Sequence, residues 1–270
     1  MEVMRDRVTV ITGASAGIGR AVAEQAGARG AAVVLSARRV DQLEAIAAGI
    51  VAKGGRALAV PGDVTRDDDM QALVARAIDV FGRIDVMVCN AGIGFHDTFE
   101  GTGPDVMRRL VDVNLMGTLY AARAAMPHFR AQGSGHLIAV SSIVGRRGIA
   151  GSAVYAATKA AQIGLIEGIR AETFGTNIHA SVVYPVSTRT EFRDAIKRDF
   201  GQDFSGTGPQ QSADEVARAI IDCIRTPRPE VYPLGNAKWL SVVSVIAPGL
   251  ADKLVQKYTR RAAHHDGVKA

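Results

Sequence analysis

Short runs of apolar residues alternate along the chain with longer stretches in which apolar positions recur every three or four residues. The short runs are Val8–Thr12, Ala32–Leu35, Ala57–Val60, Val86–Cys89, Leu137–Val140 and Ile178–Val183, with a shorter candidate at Val231–Leu234. Their length and β-branched content predict strands. The helical period predicts helices over Gly19–Arg29, Val40–Lys53, Arg66–Phe81, Pro104–Gln132, Ser152–Phe174 and Ala213–Arg225. Gly30, Gly54-Gly55 and Gly82 stand where helix stops belong. Strands that are apolar throughout have to be covered on both faces. With right-handed crossovers, the expected fold is α/β: a Rossmann-like, doubly wound parallel sheet of about seven strands with helices on both sides.

No linker-like change of composition appears before about residue 235, so residues 1–235 are expected to form one domain. Within it Ser187–Pro209 is polar and poorly periodic, and reads as a loop-rich insertion that could serve as a substrate lid at about 187–209. Residues 236–270 read as a helical extension packing on the domain or on a neighbouring subunit. Its apolar stretch Trp239–Ala251 is too short to cross a membrane and is broken by Pro248-Gly249. A membrane-surface anchor is the sharper alternative, but Ser241, Ser244 and Asp252 dilute the apolar face, and packing is preferred.

Composition removes several function classes. Of 270 residues, 47% are hydrophobic and 22% charged, as in an ordinary globular protein. The formal charge is +5, but the basic residues are dispersed apart from the pairs Arg38-Arg39, Arg108-Arg109, Arg146-Arg147 and Arg260-Arg261. A duplex binder concentrates them, and at 5% aromatics there is little to stack single strands on, so no nucleic-acid partner is expected. The two cysteines, Cys89 and Cys223, build neither a disulfide framework nor a metal site. Met1–Arg7 has no apolar signal region, which points to a cytoplasmic protein.

The candidate chemistry begins at Thr12-Gly13-Ala14-Ser15-Ala16-Gly17-Ile18-Gly19, directly between the first strand and the first helix. The Gly-x3-Gly-x-Gly spacing differs from the Gly-x-Gly-x2-Gly dinucleotide fingerprint but meets the same demands: a tight turn, close approach to a pyrophosphate, and a helix N-terminus aimed at the anion. After the second strand, where an acid would bind the ribose hydroxyls of NAD, the chain has Ser36-Ala37-Arg38-Arg39. A guanidinium suits a 2′-phosphate, so NADP(H) is favoured over NAD(H). Tyr155 and Lys159 lie four apart on one helix face, where an ammonium can lower a phenol's pKa from about 10 and make the pair an acid/base. Ser141 and Ser142 end the fifth strand, where a hydroxyl could donate to a carbonyl oxygen or merely cap a loop. Asn90-Ala91-Gly92 ends the fourth strand, and Asn114 lies inside a predicted helix, where asparagine is disfavoured unless it has a polar task.

Thr12–Gly19, Asp63-Val64, Asn90-Ala91-Gly92, Asn114, Ser142 and Tyr155-x3-Lys159, in this order, resemble the short-chain dehydrogenase/reductase family over roughly residues 5–235. The resemblance implies an NADP(H)-dependent oxidoreductase that interconverts a carbonyl and an alcohol. Tyr155 would exchange the proton, Lys159 would lower its pKa and bind the nicotinamide ribose, Ser142 would polarise the carbonyl, and Asn114 would hold a relay water. Gly13, Ser15, Ala16, Gly17, Ile18 and Gly19 would cradle the pyrophosphate, with Arg38 and Arg39 at the 2′-phosphate and Asp63 and Val64 at the adenine. Asn90, Ala91 and Gly92 would form the cofactor-side loop. After strand six the family usually has Pro-Gly, whereas this chain has Pro185-Val186; Thr190 is the first candidate for the nicotinamide carboxamide and Thr188 the second. Ile93, Phe95, Ile143, Val144, Ile149 and Val186 suggest an apolar pocket and a hydrophobic small-molecule substrate. A homodimer or homotetramer through Pro104–Gln132 and Ser152–Phe174 is also implied. Two other readings are a non-catalytic NADP-binding regulator of the same fold and a membrane-associated reductase of lipid or steroid type.

Overall fold

In chain order the elements begin β1 (Val8–Thr12), α1 (Gly17–Gly27), β2 (Ala32–Ser36), α2 (Val40–Ala52), β3 (Arg56–Ala59), α3 (Asp67–Phe81) and β4 (Val86–Cys89). They continue with α4 (Pro104–Leu110), α5 (Gly117–Gln132), β5 (Ser134–Val140), α6 (Ala153–Glu172) and β6 (Asn177–Val183). The last part holds β7 (Thr188–Arg189), α7 (Phe192–Phe200), β8 (Gln211–Ser212), α8 (Ala213–Arg225), β9 (Glu230–Val231), α9 (Ala237–Ile246) and α10 (Pro248–Ala263). The computed structural model describes residues 4–201 and 210–263, so part of the expected lid, 202–209, lies outside the described residues.

Seven parallel strands form one sheet in the order β3-β2-β1-β4-β5-β6-β9. Alternate residues of each strand face two separate cores. Ile11, Val33, Leu35, Val88 and Val140 pack against Val22 of α1, Leu43 of α2 and Ile220 of α8. Val10, Val34, Met87, Leu137 and Val182 pack against Leu73 of α3, Phe129 of α5 and Ile166 of α6. This is the doubly wound α/β fold that the apolar runs require, and burying both faces supplies the main driving force for it. The strand order reverses between β1 and β4, so their C-terminal ends diverge into a crevice, the place where such sheets hold ligands.

Three expectations about elements change. The predicted helix over Pro104–Gln132 is interrupted by one π-helical turn, Val111–Met116, which carries Asn114. A π turn inserts one residue into the helical ladder and re-aims the side chains there. Ser187–Pro209, expected to be loop-rich, contains β7 and the helix α7. The apolar positions Phe192, Ile196 and Phe200 fall four apart on one face, a signal hidden by the polar residues around them. The seventh main-sheet strand is Glu230–Val231 and ends before Leu234.

On β5, His136 is buried with its Nε2 2.8 Å from Ser181 Oγ on β6, while its Nδ1 has no partner. Burial pushes the imidazole down to about 3, helped by the nearby His179 and Arg7. An unfolded histidine titrates near 6.5. The unfolded chain therefore binds the extra proton first, and the stabilising contribution, full above pH 6.5, is lost as pH falls toward 3. Denaturant titrations at two pH values test this. On lowering pH from 6.5 to 5, wild type should lose on the order of 2 kcal/mol through this group, a loss that His136→Leu removes. Equal slopes in the two proteins would show that His136 is not the acid-labile group.

Candidate active site

The crevice is floored by the β1–α1 turn. Gly13 and Gly17 have φ of 65° and 54°, a conformation that favours glycine. A Cβ on Gly19 would lie 2.4 Å from the Gly13 carbonyl oxygen and 2.5 Å from Asn90 Nδ2. The turn is pinned from β4: Asn90 Nδ2 donates to the carbonyls of Thr12 and Gly13, and the Asn90 and Ala91 amides donate to Thr12 Oγ1. The first turn of α1 carries no acidic residue, and Ala16 at its N-cap makes no side-chain bond to it. Its amide donors, with those of Ser15, Ile18 and the loop around them, are available to an anion. At the end of β2, Ser36 Oγ is buried without a partner. Arg38 is exposed, and Arg39 Nε donates to Ser15 Oγ at 3.2 Å while Arg39 Nη1 pairs with Glu191 at 3.1 Å. An open glycine cradle, uncapped donors, an orphaned hydroxyl and two guanidinium groups fit a nicotinamide dinucleotide.

Asp63 accepts from the Thr65 amide and hydroxyl, so its carboxylate shapes its own turn. Val64 is buried against Gly117, where an added Cβ would meet it at 2.8 Å. Pro185 accepts from the Ile143 amide, and the Val186 amide donates to Gln211 Oε1. Val186 therefore needs none of the backbone freedom of the usual glycine, since its φ is not positive. Thr188 Oγ1 donates to the Val186 carbonyl, and Thr190 lies against Gly17, whose added Cβ would be 3.1 Å away.

The reactive side chains lie across the crevice, between β5 and α6. Ser141 is turned inward, its Oγ donating to the Lys159 carbonyl at 2.8 Å. Ser142 is left to face the site. Its Oγ accepts from the Val144 amide at 3.3 Å and makes a hydrogen bond with the Tyr155 phenol. Lys159 is buried; its Nζ donates to the Val140 carbonyl at 3.0 Å and to Gln162 Oε1 at 3.3 Å, and sits 5.8 Å from the Tyr155 ring centroid. Gly92 passes close by, an added Cβ being 3.4 Å from that Nζ. Burial brings the Lys159 amine down to about 8. Burial also pushes the Tyr155 phenol up to about 12, with only the Ser142 bond acting against it. The Lys159 amine is itself directed to the Val140 carbonyl and to Gln162.

Asn114, expected beside a relay water, is itself tied into the protein. Asn114 Oδ1 accepts from the Ile93 amide, and its Nδ2 donates to the Ile93 carbonyl and Thr158 Oγ1. Its main-chain carbonyl accepts from Thr118 Oγ1 at 2.8 Å and from Gln162 Nε2 at 2.7 Å. Protein donors thus make two bonds to the main-chain carbonyl and one to Oδ1. Gln162 was not anticipated. Its signal was a polar residue on the apolar face of α6, beside Ile163 and Ile166 and three residues after Lys159.

A helix covers the mouth. Phe192 of α7 has its ring 6.3 Å from that of Tyr155, and Phe192 and Ile196 close on Gly94. Arg109 pairs with Asp199 at 3.0 Å and lies over the Phe200 ring, which meets Phe95 edge-on.

Comparison with known proteins agrees with this architecture. The family model described as short chain dehydrogenase matches residues 7–200. The chain belongs to that family. An uncharacterised oxidoreductase of Listeria innocua is 40% identical over 195 residues, 72% of this chain and 79% of its own. A short chain dehydrogenase from Burkholderia cenocepacia, solved with NADP, superposes with a TM-score of 0.74 at 27% identity, covering 85% of this chain and 96% of that one. A short chain dehydrogenase/reductase from Burkholderia phymatum, solved with NAD, reaches a TM-score of 0.84 at 22% identity over 93% and 96% of the two chains, a likeness of fold. The dehydrogenase fold, its oxidoreductase class and a nicotinamide nucleotide site thus stand together.

Among the described residues no group of His, Cys, Asp and Glu could hold a metal, and Cys89 and Cys223 are buried free thiols. The polar bridge between Lys159 and Asn114 yields a stability prediction. Gln162→Met keeps the volume but leaves Thr118 and Lys159 each short of a partner, so melting experiments should show a loss of about 1–3 kcal/mol. An unchanged melting temperature would mean that Gln162 bridges nothing of consequence.

Proposed function

We propose that this dehydrogenase interconverts a carbonyl and an alcohol with NADP(H), using Tyr155 as the acid/base. The carrying observation is the convergence of Ser142, Tyr155 and Lys159 on one niche facing the glycine cradle. When bound, the nicotinamide supplies or accepts the hydride. In reduction Tyr155 gives its phenolic proton to the substrate oxygen, and in oxidation it takes that proton back. Ser142 donates to the same oxygen and stabilises the charge that grows there. Lys159, held by Val140 and Gln162, binds the nicotinamide ribose, and Asn114 holds Ile93 and Thr158 in place around it.

Arg38 and Arg39 take the 2′-phosphate, and Glu191 yields Arg39 to it. Gly13, Ser15, Ala16, Gly17, Ile18 and Gly19 take the pyrophosphate. Asp63 and Val64 shape the adenine side, and Asn90, Ala91 and Gly92 the wall opposite. Thr190, against Gly17, serves the phosphate end, which leaves Thr188, beside Pro185 and Val186, for the carboxamide. The rings of Phe95 and Phe192 with Ile196 make the α7 side of the pocket apolar, which supports a hydrophobic ketone, aldehyde or secondary alcohol as substrate. α4, α5 and α6 are the surface proposed for a homodimer or homotetramer.

A carbonyl panel followed by loss of NADPH absorbance tests the assignment, with Tyr155→Phe losing roughly 10²–10⁴-fold in kcat/KM. Full activity in Tyr155→Phe would remove the acid/base role. In parallel, nucleotide titrations should show tighter binding of NADPH than NADH, and Arg38→Ala with Arg39→Ala should abolish the difference. Tighter NADH binding by wild type would overturn the 2′-phosphate site. The pH profile follows from burial. With the phenol pushed up to about 12, the acid for reduction is present at neutral pH while the base for oxidation is scarce. Alcohol oxidation should therefore climb steadily above neutral pH while reduction does not, as measured by kcat/KM in the two directions.

A further inference from the structure

The C-terminal helices leave an apolar ridge uncovered. Trp239, Val245 and Ile246 on α9 are 70%, 80% and 78% exposed, and Leu250 and Leu254 on α10 are 53% and 48% exposed. Trp239 and Ile246 lie seven residues apart, two helical turns, and Leu250 and Leu254 one turn apart, so each helix contributes a stripe. The polar residues expected to dilute this face do not lie on it. Ser241 is buried, Ser244 is half-buried with its Oγ donating to the Leu240 carbonyl, and Asp252 is paired with Arg147. Arg147 also donates to the Pro248 carbonyl at 3.1 Å, which fastens the hairpin to the loop that leaves Ser142.

Charge identifies the occupant. From Asn236 to the end the chain has six Lys and Arg against two Asp, so this segment carries four of the five net positive charges of the whole protein. The remaining 235 residues are close to neutral, with 26 basic and 25 acidic side chains. Lys238 and Lys253 are exposed beside the ridge, and α10 continues through Lys257, Arg260 and Arg261. Pairing the ridge with a second copy would bring these like charges together, which opposes association. An anionic bilayer satisfies both features: acyl chains for the apolar ridge and headgroups for the basic residues.

We infer that α9 and α10 form a docking surface for an anionic lipid membrane. The hairpin lies in the interface without crossing it, in keeping with the finding that no helix among the described residues is long and apolar enough to span. Trp239, the one tryptophan of the chain, enters the headgroup region, where amphipathic rings are favoured.

Because Trp239 is the sole tryptophan, its emission reports docking without reference to activity. The full chain is mixed with phosphatidylcholine vesicles with or without phosphatidylserine, and pelleting and emission are followed. Anionic vesicles should blue-shift Trp239 and pellet the protein, at least about tenfold more tightly than neutral ones, and salt should weaken this. Val245→Ser with Ile246→Ser keeps the reporter and should cost about tenfold or more, as should Lys238→Glu with Lys253→Glu. These positions are exposed and are none of the residues assigned to the nucleotide site, so nucleotide binding by the variants controls for folding. No partition into anionic vesicles, or partition untouched by either pair of substitutions, would overturn the inference. So would a lipid-free oligomer that the apolar pair dissociates, since the ridge would then belong to a second copy.

Discussion

A buried amine organises the centre of this protein. Lys159 lies inside the domain, where an ammonium ion is costly and even a neutral amine needs hydrogen-bond partners. Its answer is the Val140 carbonyl at the end of β5 and the Gln162 amide one turn along α6. Gln162 in turn reaches the Asn114 carbonyl and Thr118 across the domain. The main-chain carbonyl of Asn114 sits in a π turn, and its side chain fastens the loop after β4 at Ile93. One polar chain thus joins β5, α6, the π turn and the β4 loop, and every group in it has a partner. Such a network rigidifies what it crosses.

The two halves of the crevice obey different physics. The cradle side is backbone: glycines with no room for a Cβ, amide donors without acceptors, and Asn90 holding the turn from the next strand. The niche side is side chains whose titration is governed by burial. Desolvation drives Tyr155 up and Lys159 down, so both rest in their neutral forms more readily than in water. The Ser142 bond is the one interaction that favours the phenolate. The helix α7 adds an apolar ring near the phenol and is tied by ion pairs to Arg39 and Arg109.

Much of this was legible in the chain itself. Apolar runs bounded by glycines marked six of the seven main-sheet strands to within a few residues, because a strand buried on both faces has no polar alternation to blur it. Glycine spacing located the cradle, because only a residue without a Cβ fits Gly19 against Gly13. The helix α7 was obscured, since three apolar residues four apart carry little weight in a strongly polar segment. The π turn had no local signature beyond an asparagine out of place.

The sequence by itself determined the α/β fold, the position of the cradle and the grouping of Ser142, Tyr155 and Lys159. These depend on short-range periodicity and on neighbours along one strand or helix. Tertiary structure alone decided that Gln162 takes the Asn114 carbonyl, that Ser141 turns inward while Ser142 does not, and that Ser241 of α9 is covered while Trp239 is not. Each of these outcomes depends on partners brought from distant parts of the chain. Periodicity says which side of a helix is apolar; only packing says what that side meets.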